Sequence, residues 1–168
     1  MYSIDRFKAK LVLGIDPGLN NTGWGIVRCQ NNTFEYIASG TVTSASEHGT
    51  AIRLKKIFDN LLQIIEHYQP YECSVEETFV NRNPYLSLKL GYAKGVALLA
   101  ASSKGLPIFE YAPCLVKKAL TGNGGASKQQ IANMIKCLIP NNKAQSEHET
   151  DALAIAICHI NTLPVIVK

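Results

Sequence analysis

The stretch Leu11-Val-Leu-Gly-Ile-Asp16-Pro-Gly-Leu-Asn-Asn-Thr-Gly-Trp-Gly-Ile-Val27 decides how this chain folds. Residues 11–15 have strand character and deliver one carboxylate, Asp16, and Pro17-Gly18 stops the strand directly after it. Strand character resumes over 24–27, after Asn20, Asn21, Thr22 and Gly23, so the simplest local structure is a hairpin with Asp16 at its rim. There the acid is open to solvent while the strand below it is buried, which a ligated metal needs and a core does not. Asp-Pro-Gly is also ordinary turn chemistry, so the rest of the chain has to separate the two readings.

Working outward, Asn31-Asn32 reads as a turn into a third strand over 34–43, and three strands with short links imply an antiparallel meander. Residues 51–68 place Ile52, Ile57, Phe58, Leu61, Leu62, Ile64 and Ile65 mostly at helical spacing, ended by Gln69-Pro70. The strand over 73–77 again terminates in acid, Glu76-Glu77. To lie beside the first strand after a crossover helix it must run parallel to it, and parallel neighbours bring their carboxyl ends together. Asp16 and one of the two glutamates therefore meet at one rim; alternation does not choose between them, since a central strand is buried on both faces.

Asn83-Pro84 opens a helix to about residue 103. It is apolar nearly all round, with Lys89 and Lys94 as the polar exceptions and Gly91 and Gly95 one turn apart, so it needs a cover beyond its own sheet. A partner subunit is the expected cover. A fifth strand follows over 107–111 and a short helix over 113–120 carrying Lys117 and Lys118. The loop Thr121-Gly-Asn-Gly-Gly-Ala-Ser127-Lys128 is not a Walker A loop, because serine precedes lysine. Ser127 and Gln130 fit a capping box opening a helix to about 138, and glycines, helix start and Lys128 together suit a phosphate. The last helix is expected over 149–163, with Asp151 in its first turn and His148 on the same face if the helix extends back that far.

Length and composition bound the rest. At 168 residues and 46% hydrophobic, residues 1–168 read as one domain. The start carries four charges without an apolar run, and no stretch approaches the ~20 apolar residues of a membrane span, so a cytoplasmic protein without membrane partners is expected. Five scattered cysteines with no Cys-x-x-Cys pair argue against disulfides and structural zinc; they are expected to be small buried residues. The net charge of +4 conceals a segregation: residues 78–146 carry nine Lys or Arg and a single acid, Glu110. A basic middle between acidic flanks favours a polyanion partner.

The element order describes an α/β fold, a mixed five-stranded sheet flanked by helices, with acids after the first and fourth strands and on the last helix. Three carboxylates and a histidine are mostly hard oxygen donors, suited to Mg²⁺ or Mn²⁺. Two such ions ~3.5–4 Å apart can activate a water and stabilise the leaving oxygen of a phosphodiester.

Gly14-Ile-Asp-Pro-Gly18, Val75-Glu76 followed by Phe79, Leu88-Lys-Leu-Gly-Tyr-Ala-Lys-Gly-Val96, Tyr111 with Val116-Lys117, and Asp151-Ala-Leu-Ala-Ile-Ala-Ile157 together resemble the bacterial RuvC family of Holliday junction resolvases. The resemblance runs in order from Leu11 to His159. It implies a ribonuclease-H-like fold, a homodimer, and two symmetric metal-dependent nicks in a four-way DNA junction during recombination and repair. It further implies two Mg²⁺ per subunit with Mn²⁺ able to substitute, and a branch-migration complex as partner. Carried over by position, it puts catalytic metal-binding groups at Asp16, Glu76 (over Glu77), His148 and Asp151. It puts DNA contacts at Phe79, Arg82, Lys117 and Lys128, and makes the helix from Pro84 the dimer helix. Many members carry Asp where this chain has His148, which leaves the choice between Mg²⁺ and Mn²⁺ open.

Three other readings are weighed against this one. Sugar kinases and actin-like ATPases share the Asp-x-Gly turn but need a second, duplicated domain that 168 residues do not supply. A ribonuclease-H-like enzyme acting on RNA is separated by competition between four-way DNA and structured RNA. A non-catalytic module binds junctions and leaves them intact.

Overall fold

Strand pairing follows the expected meander. In the computed structural model, which describes residues 10–44, 48–77 and 83–162, β1 (Lys10–Asp16), β2 (Asn21–Gln30) and β3 (Thr33–Thr43) are antiparallel neighbours. The turn between β2 and β3 places Asn31 and Asn32 at φ of 51° and 59°, a left-handed conformation that asparagine tolerates. After α1 (Thr50–Tyr68), β4 (Glu72–Glu76) joins the free side of β1 in parallel, and β5 (Ile108–Tyr111) joins β4 in parallel. The sheet order is β3-β2-β1-β4-β5, mixed and five-stranded, with β1 at its centre.

The strand at 24–27 is longer than expected, beginning at Asn21 and running to Gln30. Its polar start is satisfied in place: Thr22 Oγ1 donates to Gly18 O at 2.7 Å, and Thr43 Oγ1 donates to Asn21 Oδ1 at 3.0 Å. These residues therefore belong to the ladder, and the loop over the rim shrinks to residues 17–20.

Helices cover both faces. On one, α1 and α2 (Pro84–Ser103) pack over Leu13, Ile15, Ile26, Cys73 and Val75. On the other, α3 (Pro113–Thr121), α4 (Lys128–Leu138) and α5 (Glu147–Thr162) pack over Val12 and Val27. α5 is the central element of that face, buried continuously from Ala152 to His159. It lies so close to the sheet that a Cβ on Gly14 would stand 2.0 Å from Ala152 O, so only glycine fits at that point of β1.

α2 meets its own domain through Ala93, Ala97, Ala100 and Ala101, while Tyr85, Leu86, Leu88, Tyr92 and Leu99 stay exposed. The cysteine expectation fails in part. Cys73 and Cys158 are buried, but Cys114 and Cys137 are exposed, because each falls off the buried stripe of its helix formed by Val116 and Leu120 or by Ile131 and Ile135. Among the described residues no helix is long and apolar enough to cross a membrane.

Candidate active site

Side-chain alternation aims two strand-end acids at α5. Val12, Gly14 and Asp16 share one face of β1, and Glu72, Ser74 and Glu76 share the same face of β4, because Cys73 and Val75 point to α1 and α2. The parallel register pairs Ile15 with Val75, so Asp16 and Glu76 are the next step of both strands. Glu77 does not join them; its backbone N–H extends the ladder to Tyr111 O at 2.9 Å.

α5 starts at Glu147, two residues before the expected position, and so includes His148. His148 and Asp151, three residues apart on the first turn, face the two strand ends. His148 Nδ1 lies 2.9 Å from Asp16 Oδ2. A Cβ on Gly23 of β2 would stand 2.1 Å from His148 O, so β2 lets the helix start sit directly on the rim.

These four side chains line one cavity of about 370 Å³ together with Lys117, Lys128, Pro113, Val116, Ile131 and Ala154. The glycine-rich loop delivers the second lysine. Gly122 closes α3 at a φ of 76°, and Ser127 with Gln130 forms the expected capping box at the start of α4, so Lys128 is held at the cavity mouth. Its Nζ is 2.7 Å from Glu147 Oε2 and 4.0 Å from Asp151 Oδ2.

The electrostatics are those of crowded acids. Burial raises the Asp16 carboxyl above its usual range, against the opposing pull of His148. Burial, then repulsion from Asp16, raises Asp151. Glu76 is pushed up to about 7 by burial and by the charges of Asp16 and Asp151, with Lys117 and Lys128 pulling the other way. Near neutrality the cluster therefore retains a proton that a divalent cation would displace, and its donor set of three carboxylates and one imidazole suits Mg²⁺ or Mn²⁺. Among the described residues no three such groups close on a single point, so the donors line a cavity rather than form a finished chelate.

Six of the eight site residues expected from the sequence, Asp16, Glu76, Lys117, Lys128, His148 and Asp151, thus line one cavity. Phe79 and Arg82 lie outside the described residues. Sequence reasoning missed Glu147, the partner of Lys128, and Glu149, a buried acid in the same turn. The signal for the second was available: Ser146 and Glu149 have the spacing of a capping box.

Comparison with known proteins bears on what this cavity does. A family model described as Crossover junction endodeoxyribonuclease RuvC matches residues 12–159. Curated proteins of that name from Agrobacterium fabrum and Brucella anthropi are 49% and 50% identical over 148 residues, covering 88% of this chain and 87% and 86% of theirs. A solved structure, T. thermophilus RuvC in complex with Holliday junction substrate, superposes with a TM-score of 0.85 at 32% identity, over 90% of this chain and 93% of that one. The yeast mitochondrial Holliday junction resolvase Ydc2 shares the fold, with a TM-score of 0.62 at 12% identity over 94% of this chain and 82% of its own.

Proposed function

The chain belongs to the RuvC family of crossover junction endodeoxyribonucleases, and from that membership we propose how its own residues resolve a four-way DNA junction. It is a Holliday junction resolvase, a metal-dependent nuclease of recombination and repair, with the ribonuclease-H-like fold. Our reading is that residues 1–168 form one nuclease domain in which Asp16, Glu76, His148 and Asp151 hold two Mg²⁺ per subunit, Mn²⁺ substituting.

One observation carries this reading: three carboxylates from three separate elements share a cavity in which burial raises all of them and repulsion adds to it at Asp151 and at Glu76, which reaches about 7. Such an arrangement is costly without a cation and favourable with one. Divalent ions bound there supply a water activated for attack on the phosphodiester and a stabilised leaving oxygen. The residues do the holding. Asp16 accepts from His148 Nδ1–H, which fixes the tautomer and leaves Nε2 as the ring nitrogen free to ligate. Lys117 and Lys128 set positive charge at the cavity wall where the scissile strand's phosphates must pass, and Pro113, Val116 and Ile131 form a dry side against it. Phe79 and Arg82 complete the DNA contacts in this reading.

Paired nicks require paired sites. The exposed apolar face of α2, with Tyr85, Leu86, Leu88, Tyr92 and Leu99, supports a homodimer across this helix. A branch-migration complex is the further partner, on family resemblance.

The test is incubation with a labelled synthetic four-way junction and a matched linear duplex, with and without Mg²⁺ or Mn²⁺. Two symmetric nicks in the junction alone, only with metal, are expected. A junction that is bound and left whole, or a duplex cut equally well, would overturn the reading.

A further inference from the structure

We propose that Glu149 is a positioning residue, which fastens the first turn of α5 to strand β3 and so sets where His148 and Asp151 stand in the cavity; this rests on reading those two as metal ligands. Glu149 is nine-tenths buried, with 7% of its surface exposed, and makes no ion pair among the described residues. It does not line the cavity. Its carboxylate is satisfied by neutral donors: Ser39 Oγ donates to Oε2 at 2.7 Å, Gln145 N–H to Oε2 at 3.4 Å, and Ser146 Oγ to Oε1 at 3.2 Å. A buried carboxylate is costly unless fully hydrogen-bonded, so each donor is committed to this one arrangement.

Helix capping alone does not account for it. Ser146 already caps α5, its Oγ accepting from Glu149 N–H at 3.2 Å and its carbonyl from Thr150 N–H at 3.2 Å. In an ordinary capping box the glutamate reaches back to the cap residue's own amide. Here it accepts instead from the amide of the preceding residue, Gln145, and reaches across to Ser39 of β3, which is 110 residues away in the chain. The link branches on both sides: Tyr36 Oη is 3.1 Å from Ser39 Oγ, and Thr41 Oγ1 is 2.9 Å from Ser146 Oγ. Tyr36, Ser39 and Thr41 all belong to β3.

Two constraints therefore fix the helix start. Gly23 of β2 sets how closely it approaches, through His148 O, and the bond from Ser39 of β3 to Glu149 sets its rotation. His148 and Asp151 flank Glu149 in sequence, so a rotation of this turn moves both across the cavity. A misplacement of about 1 Å at a reacting centre is enough to lower a rate by ~10²-fold.

The test compares wild type with Glu149→Ala, Glu149→Gln, Ser39→Ala and Asp151→Asn, each assayed well below its own melting temperature. Three quantities are read: Mn²⁺ affinity of the DNA-free protein by electron paramagnetic resonance, junction affinity in chelator, and single-turnover cleavage against Mn²⁺ concentration. Glu149→Ala is expected to keep junction affinity within about twofold, weaken Mn²⁺ binding several-fold and lose cleavage by ~10²-fold. Glu149→Gln, which keeps shape and an acceptor, should recover most of both, and Ser39→Ala should lose part of both without touching the glutamate. If Asp151→Asn loses Mn²⁺ while Glu149→Ala and Ser39→Ala bind and cut like wild type, or lose activity only as their melting temperatures fall, the positioning role is overturned. If Asp151→Asn itself binds Mn²⁺ normally, the ligand reading beneath it fails instead. Should Glu149→Ala not fold, unchanged Mn²⁺ binding and cleavage by Ser39→Ala, which removes the donor to Glu149 Oε2, would still overturn the proposal.

Discussion

Removing the Glu76 charge should stabilise the metal-free protein while destroying its activity, and the size of the gain follows from the cavity. Glu76 has its carboxyl pushed from the usual 4.5 to about 7 by burial and by Asp16 and Asp151. A carboxyl whose folded pKa lies above its unfolded value binds its proton more tightly in the native state. The stability this contributes is complete below pH 4.5 and is lost as the pH rises through about 7. At about 1.4 kcal/mol per unit the full shift is worth ~3 kcal/mol, and screening of the part that meets solvent reduces this to ~2 kcal/mol. Glu76→Gln carries no charge to lose. In chelator the variant and wild type should melt together at pH 4.5 and separate above pH 7, the variant higher by about 4–8 °C at 2–4 °C per kcal/mol. Saturating Mg²⁺ or Mn²⁺ should reverse the order, since an ion at 100 times its Kd adds ~2.7 kcal/mol to wild type and less to a site short of one carboxylate. Melting curves at pH 4.5, 6 and 8, with chelator and with metal, test all of this. A separation that does not grow with pH, or a variant less stable than wild type at pH 8 in chelator, would refute the crowded-acid reasoning.

Other perturbations separate binding, chemistry and assembly. Asp16→Asn and Asp151→Asn should lower cleavage by orders of magnitude yet bind junctions in chelator as wild type does, measured by gel shift and single-turnover nicking; a variant that still cuts near wild-type rate removes its residue from the site. Lys128→Ala should weaken junction binding and reduce the slope of log K against log salt by ~0.9, one phosphate's worth, as should Lys117→Ala; an unchanged slope returns that lysine to the solvated surface. A Cβ on Gly95 meets nothing within 4 Å in one subunit, so Gly95→Leu should leave the monomer folded and yield monomers that bind poorly and make no paired nicks, read by sedimentation. His148→Asp should move the metal preference from Mn²⁺ toward Mg²⁺, because Mg²⁺ favours an all-oxygen shell; equal rate ratios in the two metals for both proteins would place His148 outside the ion shell.

The meander, the parallel crossover and the convergence of strand-end acids were all legible, because each depends on short-range pattern and connection rules. The choice between Glu76 and Glu77 was not legible from burial alone. It follows once Ile15 is known to pair with Val75, since register then carries the face of Asp16 to Glu76 and not to its neighbour. The strand start at Asn21 was hidden because asparagine and threonine read as loop until their partners, Gly18 O and Thr43 Oγ1, are in view. Exposed Cys114 and Cys137 show the converse: their type suggested burial, and their helical phase overrode it. What Gly14 and Gly23 do was not legible either. Their role is tertiary, since what forbids a side chain there is the backbone of α5, far away in sequence.

That close approach explains how a fold can keep so unfavourable a cluster at its centre. The ~2 kcal/mol that Glu76 loses near neutral pH, with smaller losses of the same sign at Asp16 and Asp151, would drive α5 off the sheet if the acids alone held it there. The second half of the same helix opposes this. Leu153, Ile155 and Ile157 are all buried, each worth ~1.5–3 kcal/mol of apolar transfer, and the absence of side chains at Gly14 and Gly23 lets that burial bring the helix to contact distance. Packing from residue 152 onward therefore holds Asp151 against the repulsion of Asp16 and Glu76, and the repulsion remains as free energy that an incoming cation can release. A bulkier residue at Gly14 would lengthen the gap, relax the acids toward their ordinary range, and weaken metal binding without altering any ligand.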